Sequence, residues 1–121
     1  MYILIGMTDT PLREPTFLVL TALAETPQHG YAVIEDVLRI SDGRVRLRAG
    51  TLYAVLDRLR ADGLIEVDRE EVVQSRLRRY YRLTALGAAR LADEVTRLRR
   101  NADAANRRLR RAGLLAEGGV A

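Results

Sequence analysis

From Ala88 to Ala112 the residues Ala88, Leu91, Val95, Leu98, Ala102, Ala105, Leu109 and Ala112 follow one another at alternating intervals of three and four. A 3.5-residue apolar period sustained over this length is the seam of a helix packed along another long helix. A helix over 85–113 is roughly 40 Å long at about 1.5 Å per residue. A chain of 121 residues has room for one domain. What remains outside this helix is too small to cover the whole seam, so the surplus needs a partner, and a second copy is the simplest one. Leu91, Val95, Leu98, Ala102, Ala105 and Leu109 are therefore the expected dimerisation residues. A helix folded back on its own domain is the competing reading, but it would not need a seam this long.

The segments ahead of the seam are short. Thr10 followed by Pro11 reads as a cap and a first helical position, predicting a helix over 12–25, with Pro15 in its first turn or at its true start. Phe17, Leu18, Leu20, Ala22, Leu23 and Ala24 make that helix apolar on most sides, hence central. Residues 26–30 read as a turn. A second helix over 30–39 presents Tyr31, Ile34, Val37 and Leu38 as a buried stripe. Ser41, Asp42 and Gly43 end it. Residues 44–48 alternate arginine with Val45 and Leu47, which predicts an extended segment with those two inward. A third helix over 50–62 buries Leu52, Val55, Leu56 and Leu59 and stops at Asp62-Gly63. Residues 64–67 begin a strand, Asp68 to Glu71 read as an acidic turn, and 76–83 return as a second strand. Thr84 is a good N-cap for the long helix, and Gly113 stops it.

Three short helices, a hairpin and a long terminal helix define a mainly α fold with a small β-hairpin. It is a winged helix-turn-helix over 10–84 with a dimerisation helix over 85–113. Residues 1–9 are expected to be a flexible extension and 114–121 a flexible tail. Met7-Thr8-Asp9-Thr10-Pro11 would make an ordinary cytoplasmic start. Residues 1–6 then read either as an upstream extension or as an apolar arm that packs on a partner subunit.

Charge narrows the function. All twenty cationic side chains are arginine, and the net charge is +4. The arginines cluster: 44–60 carries a net +4, 76–82 carries +4 and 90–111 carries +5, while 61–75 carries −4. Such blocks suit an anionic partner. In a winged helix the first block surrounds the recognition helix and the second lies on the wing. The start of a recognition helix offers free N–H groups and positive partial charge to phosphate. Its open face reaches base edges in the major groove. Double-stranded DNA is thus the expected partner. A winged-helix interaction module with an acidic protein partner is the alternative.

The candidate DNA-binding residues are Arg46, Arg48, Gly50, Thr51, Tyr53, Arg58, Arg76, Arg78, Arg79 and Tyr80. Arg46 and Arg48 alternate with inward residues and face out. Gly50 and Thr51 read first as helix start and cap, and second as close approach to phosphate. Arg58 lies on the open face of the third helix, with Asp57 beside it to orient an arginine. Arg76 and Arg78 share one strand face and Arg79 takes the other. Tyr81 reads as core and Tyr80 as support for the wing. His29 reads as a packing or capping residue rather than a metal ligand, for the chain has no second histidine and no cysteine. No cofactor, metal site or catalytic constellation is expected, and no apolar run reaches the length of a membrane span.

Several motifs also resemble the PadR family of bacterial transcriptional regulators. They are Gly30-Tyr31, Gly50-Thr51-Leu52-Tyr53, Leu59, Asp62-Gly63-Leu64-Ile65 and the run 79–84. The likeness covers about 15–100, in order and at family-like spacing. It implies homodimers that bind near-palindromic operators, usually as repressors, often released by a small-molecule effector. It implies that the Tyr53 hydroxyl reaches phosphate. The short C-terminal part resembles the compact branch with a single dimerisation helix. The seam has neither Trp nor Phe to stack a planar ligand. The family often has a glycine before the basic strand where this chain has Ser75, which implies a less sharply bent wing loop.

Overall fold

Pro15 sets where the first helix begins. The computed structural model describes residues 10–115, and in it α1 spans Glu14–Leu23 with Arg13 as N-cap. The start expected at Thr10-Pro11 is thus displaced to Pro15, whose fixed φ suits a first turn where its missing N–H costs nothing. Leu18, Val19, Leu20, Ala22 and Leu23 are all buried, which makes α1 central.

The turn expected at 26–30 is instead a two-residue strand, β1 (Gln28–His29), followed directly by α2 (Gly30–Ile40). The Gln28 side chain donates to the Ala22 carbonyl at 2.6 Å and to Asp36 at 3.0 Å, tying the end of α1 to α2. His29 caps α2, its Nδ1 accepting from the Ala32 N–H at 3.4 Å. The buried stripe of α2 is Gly30, Val33 and Val37, with Ile34 at its edge. Tyr31 is 66% exposed, one residue off the stripe to which the sequence assigns it.

Ser41 ends α2. Its hydroxyl donates to the Leu38 carbonyl at 3.2 Å and accepts from the Val45 N–H at 2.9 Å. The following segment forms no strand, with Leu47 buried and Val45 half-buried between exposed arginines, and is extended at Arg48. It leads into α3 (Ala49–Ala61), which buries Leu52, Leu56 and Leu59. Gly63, at φ +75°, supplies the left-handed residue that closes α3.

The hairpin is longer and tighter than expected. β2 (Ile65–Val73) runs straight through the acidic segment, and β3 (Arg76–Leu83) pairs with it from Ile65↔Leu83 out to Val73↔Arg76. A bulge between Val67 and Arg69 is its one irregularity. Asp68 to Glu71 are strand rather than turn: Glu70 and Glu71 stand opposite Arg79 and Arg78 on the partner strand, which offsets the clustering of charge, while Asp68 lies in the bulge and Arg69 faces Tyr80. The turn is only Gln74-Ser75, with φ of +52° and +66°, a two-residue loop of the type whose twist matches a hairpin. The bend expected to relax at Ser75 is therefore as sharp as a glycine would make it. β1 joins the outer edge of β3, giving the antiparallel order β1-β3-β2.

α4 (Ala85–Arg111) runs 27 residues. Thr84 opens it: its hydroxyl accepts from the Gly87 N–H at 3.0 Å and donates to the Gly63 carbonyl at 2.7 Å. Gly113, at φ +75°, follows its end, with the Leu114 N–H reaching the Leu109 carbonyl at 2.8 Å. The chain divides into two units between Leu91 and Ala92. In the first, Leu91 packs on the core. In the second, Ala102 and Ala105 are exposed, as are Leu98 at 40% and Leu109 at 39%. Buried Glu94 is held by Arg97 of the same helix. The expectations for 1–9 and 116–121 lie outside the described residues. Among the described residues no helix is long and apolar enough to cross a membrane.

Candidate nucleic-acid interface

The first turn of α3 is open. Its N-cap, Arg48, makes no side-chain capping bond, so neither Gly50 nor Thr51 serves as the cap expected of them. The first N–H groups of the helix face solvent beside exposed Arg48, Gly50 and Thr51. A side chain at Gly50 would meet nothing within 4 Å. An approaching phosphate would find the same free space.

Tyr53 marks where α2 and α3 meet. A Cβ at Gly30 would stand 2.6 Å from the Tyr53 hydroxyl, so glycine at the start of α2 makes room for this phenol. The ring is 47% exposed. The two motifs Gly30-Tyr31 and Gly50-Thr51-Leu52-Tyr53 are thus halves of one packing arrangement. Sequence spacing alone did not join them.

Arg46, Arg48 and Arg58 are exposed, and so are Arg44 and Arg60. Among the described residues none of these five forms an ion pair. Asp57 forms none either, so it orients no arginine by direct pairing. The basic block around α3 is therefore a surface of uncommitted guanidinium groups.

The wing differs. Folding brings the acidic block 61–75 onto the basic block 76–82. Arg79 donates to Glu70 at 2.8 Å, and Arg82 donates to Glu66 at the same distance. Arg69 bonds Asp68 at 3.1 Å and Glu71 at 3.2 Å. Its hydrogen bond to Glu71 lowers the carboxyl pKa, with Tyr80 adding to the effect. The blocks that look separate along the chain partly neutralise each other across the ladder, through Arg79 and Arg82. Among the described residues, Arg76 and Arg78 are the wing arginines without an ion pair.

Tyr81 is buried, as expected, and Tyr80 is half-buried between two partners. The Arg69 guanidinium lies 3.8 Å over the Tyr80 ring, and His29 meets that ring edge-on at 5.3 Å. Tyr80 thus links the wing to the cap of α2. Burial lowers the His29 pKa, and the charge of Arg78 lowers it further against Glu35 and Glu71. The unfolded chain then takes up a proton before the folded one as pH falls below about 6.5. The contribution to stability is full above that pH and declines below it. His29 is the only histidine in the chain. Urea melts between pH 7.5 and 5.5 should show wild-type stability declining, and His29→Asn, which keeps a capping acceptor, should remove that decline. An unchanged slope in the variant would refute the assignment.

Sequence reasoning missed β1, the Arg69 stack and the ion-pair ladder. Cross-strand register is the signal that reveals the ladder, and it follows once the turn is placed at Gln74-Ser75. Among the described residues no cluster of three or more His, Asp or Glu could hold a metal.

Residues 19–93 match the Transcriptional regulator PadR-like family. The Transcriptional regulator Rv3488 of Mycobacterium tuberculosis is 38% identical over 76 residues, 63% of this chain and 67% of that one. A PadR family transcriptional regulator from Eggerthella lenta has a similar structure, with a TM-score of 0.65 at 26% identity, over 88% of this chain and 88% of that one. Bacillus subtilis PadR, solved in complex with operator DNA, gives a TM-score of 0.62 at 20% identity, over 69% of this chain and 48% of that one.

Proposed function

This chain belongs to the PadR-like family of transcriptional regulators, and from that premise we propose that it is a homodimeric repressor of a near-palindromic operator. The observation that carries the proposal is the uncommitted cationic surface around the open start of α3. The family is one of transcriptional regulators, not enzymes, and a relative of the same fold has been solved on operator DNA.

In this reading α3 enters the major groove of each half-site. Arg46 and Arg48 take backbone phosphates, the N–H groups at Gly50 and Thr51 and the Tyr53 hydroxyl take another, and Arg58 reaches towards base edges. Arg76 and Arg78 follow the flanking backbone from the wing, and Tyr80 holds the wing to α2. The seam through Leu91, Val95, Leu98, Ala102, Ala105 and Leu109 pairs two copies and sets the spacing of their reading heads. A small-molecule effector that favours a different spacing would release the operator.

Selection of bound fragments from genomic DNA, followed by salt titration, tests the proposal. The expected product is a short inverted repeat bound at nanomolar strength. Its affinity should fall about 10³-fold or more between 50 and 200 mM salt. Arg46→Ala with Arg48→Ala should weaken binding to all sequences and reduce the salt slope by about 2. Weak, sequence-blind or salt-insensitive binding would sink the proposal and favour an acidic protein partner.

A further inference from the structure

β2 carries four carboxylates into the wing: Glu66, Asp68, Glu70 and Glu71. Acids on a surface meant for phosphate weaken it, so their placement calls for a reason. Stability supplies little of one. The Glu70 and Arg79 side chains are 44% and 40% exposed, and exposed pairs of this kind contribute little to folding.

Position is more informative. Leu77, Arg79 and Tyr81 share one face of β3, and Glu70↔Arg79 is the rung between buried Tyr81 and the exposed tip pair Val72↔Leu77. Val72 and Leu77 are 74% and 61% exposed. Arg79 is therefore the next residue inside Leu77 on this face, three rungs from the tip rung Val73↔Arg76 and on the face opposite Arg76 and Arg78, within reach of the backbone if a wing lies along DNA. Its Nε donates to Glu70 at 2.8 Å. To bind a phosphate it must give up this carboxylate, and Glu70 would then face the phosphate unpaired.

Resting on the DNA-binding reading above, we infer that Glu70 is a positioning residue that holds Arg79 off the DNA backbone and so limits the sequence-independent affinity of the wing. Sequence-independent binding is almost entirely counterion release, and each cation withheld removes one phosphate's worth of it. With Arg79 occupied, Arg69 stacked on Tyr80 and Arg82 paired with Glu66, the wing engages DNA through Arg76 and Arg78. Occupancy then depends more heavily on what α3 reads.

The test uses the full chain and a mixed-sequence 24-bp duplex, titrated between 50 and 200 mM salt. Glu70→Gln preserves shape and removes the charge. It should bind about fivefold more tightly at the low-salt end, with a salt slope steeper by about 0.9. Adding Arg79→Ala to Glu70→Gln should return the slope to the wild-type value, which a merely structural role for Glu70 would not predict. Equal slopes for wild type and Glu70→Gln would overturn the inference, as would a steeper slope that survives Arg79→Ala. A wild type that binds no duplex overturns the DNA-binding reading itself, and the inference with it.

Discussion

Gly87→Ala is expected to lower the unfolding midpoint by roughly 10 °C or more, against the direction that helix propensity gives. Gly87 lies in the first turn of α4, where alanine would ordinarily gain up to about 1 kcal/mol over glycine. The added methyl, however, would stand 2.0 Å from the Leu64 carbonyl oxygen and 3.0 Å from a Leu83 methyl. The obstacle is backbone, fixed by the Thr84 N–H bond to that same carbonyl at 3.1 Å and by the Thr84 hydroxyl on Gly63. Neither side can give way without lifting the start of α4 from the turn after α3. Overpacking of this kind costs about 3 kcal/mol, and more where backbone is the obstacle. The steric cost outweighs the propensity gain. Gly50→Ala is the control, since its methyl would meet nothing within 4 Å. There the same change should stabilise by up to about 1 kcal/mol, while weakening DNA binding if the backbone of α3 approaches phosphate. Thermal melts of both variants decide the matter. A Gly87→Ala protein as stable as wild type would refute the packing argument.

That contrast shows what periodicity carries and what it leaves out. The spacing of Leu52, Leu56 and Leu59 placed α3 to within a residue at each end, because one face of a helix must meet the core. Thr84 and Gly113 bounded α4 for equally local reasons, a hydroxyl that caps and a glycine that takes positive φ. Features that depend on what lies across space were not legible. Gly87 reads as an ordinary helical glycine among alanines until Leu64 is set against it. Gln28–His29 is too short to show a period, and its strand exists because β3 offers a free edge. The acidic run from Asp68 to Glu71 resembles a solvated turn until register sets Arg79 and Arg78 opposite Glu70 and Glu71. Tyr31 obeys the stripe spacing as well as Val33 does, yet the buried positions are Gly30, Val33 and Val37. For the candidate site this matters most on the wing. The sequence singles out Arg76, Arg78 and Arg79 as one group, and only the ladder separates Arg76 and Arg78 from Arg79, which pairs with Glu70.

Leu98→Glu is expected to convert the proposed dimer into a folded monomer and to abolish operator binding at nanomolar protein. Leu98 is 40% exposed in the single chain, so the substitution takes little from the chain's own stability. In a two-fold dimer the loss is counted twice, since each copy brings its own residue to the shared seam. Loss of a buried leucine contact costs about 2 kcal/mol per copy. Two carboxylates brought into an apolar seam add desolvation and like-charge repulsion. A total of about 4–6 kcal/mol weakens association roughly 10³- to 10⁴-fold. Each half-site would then be read by one head, without the linkage that makes the second contact intramolecular. Leu109→Glu, with 39% exposure further along the same seam, should act in the same direction. Thr96→Glu, on an exposed position of α4 outside the seam, should leave association intact. Sedimentation equilibrium reads the association and melting curves read the fold. A Leu98→Glu protein that remains dimeric while folding normally would remove the seam from the account and return α4 to a single-chain role.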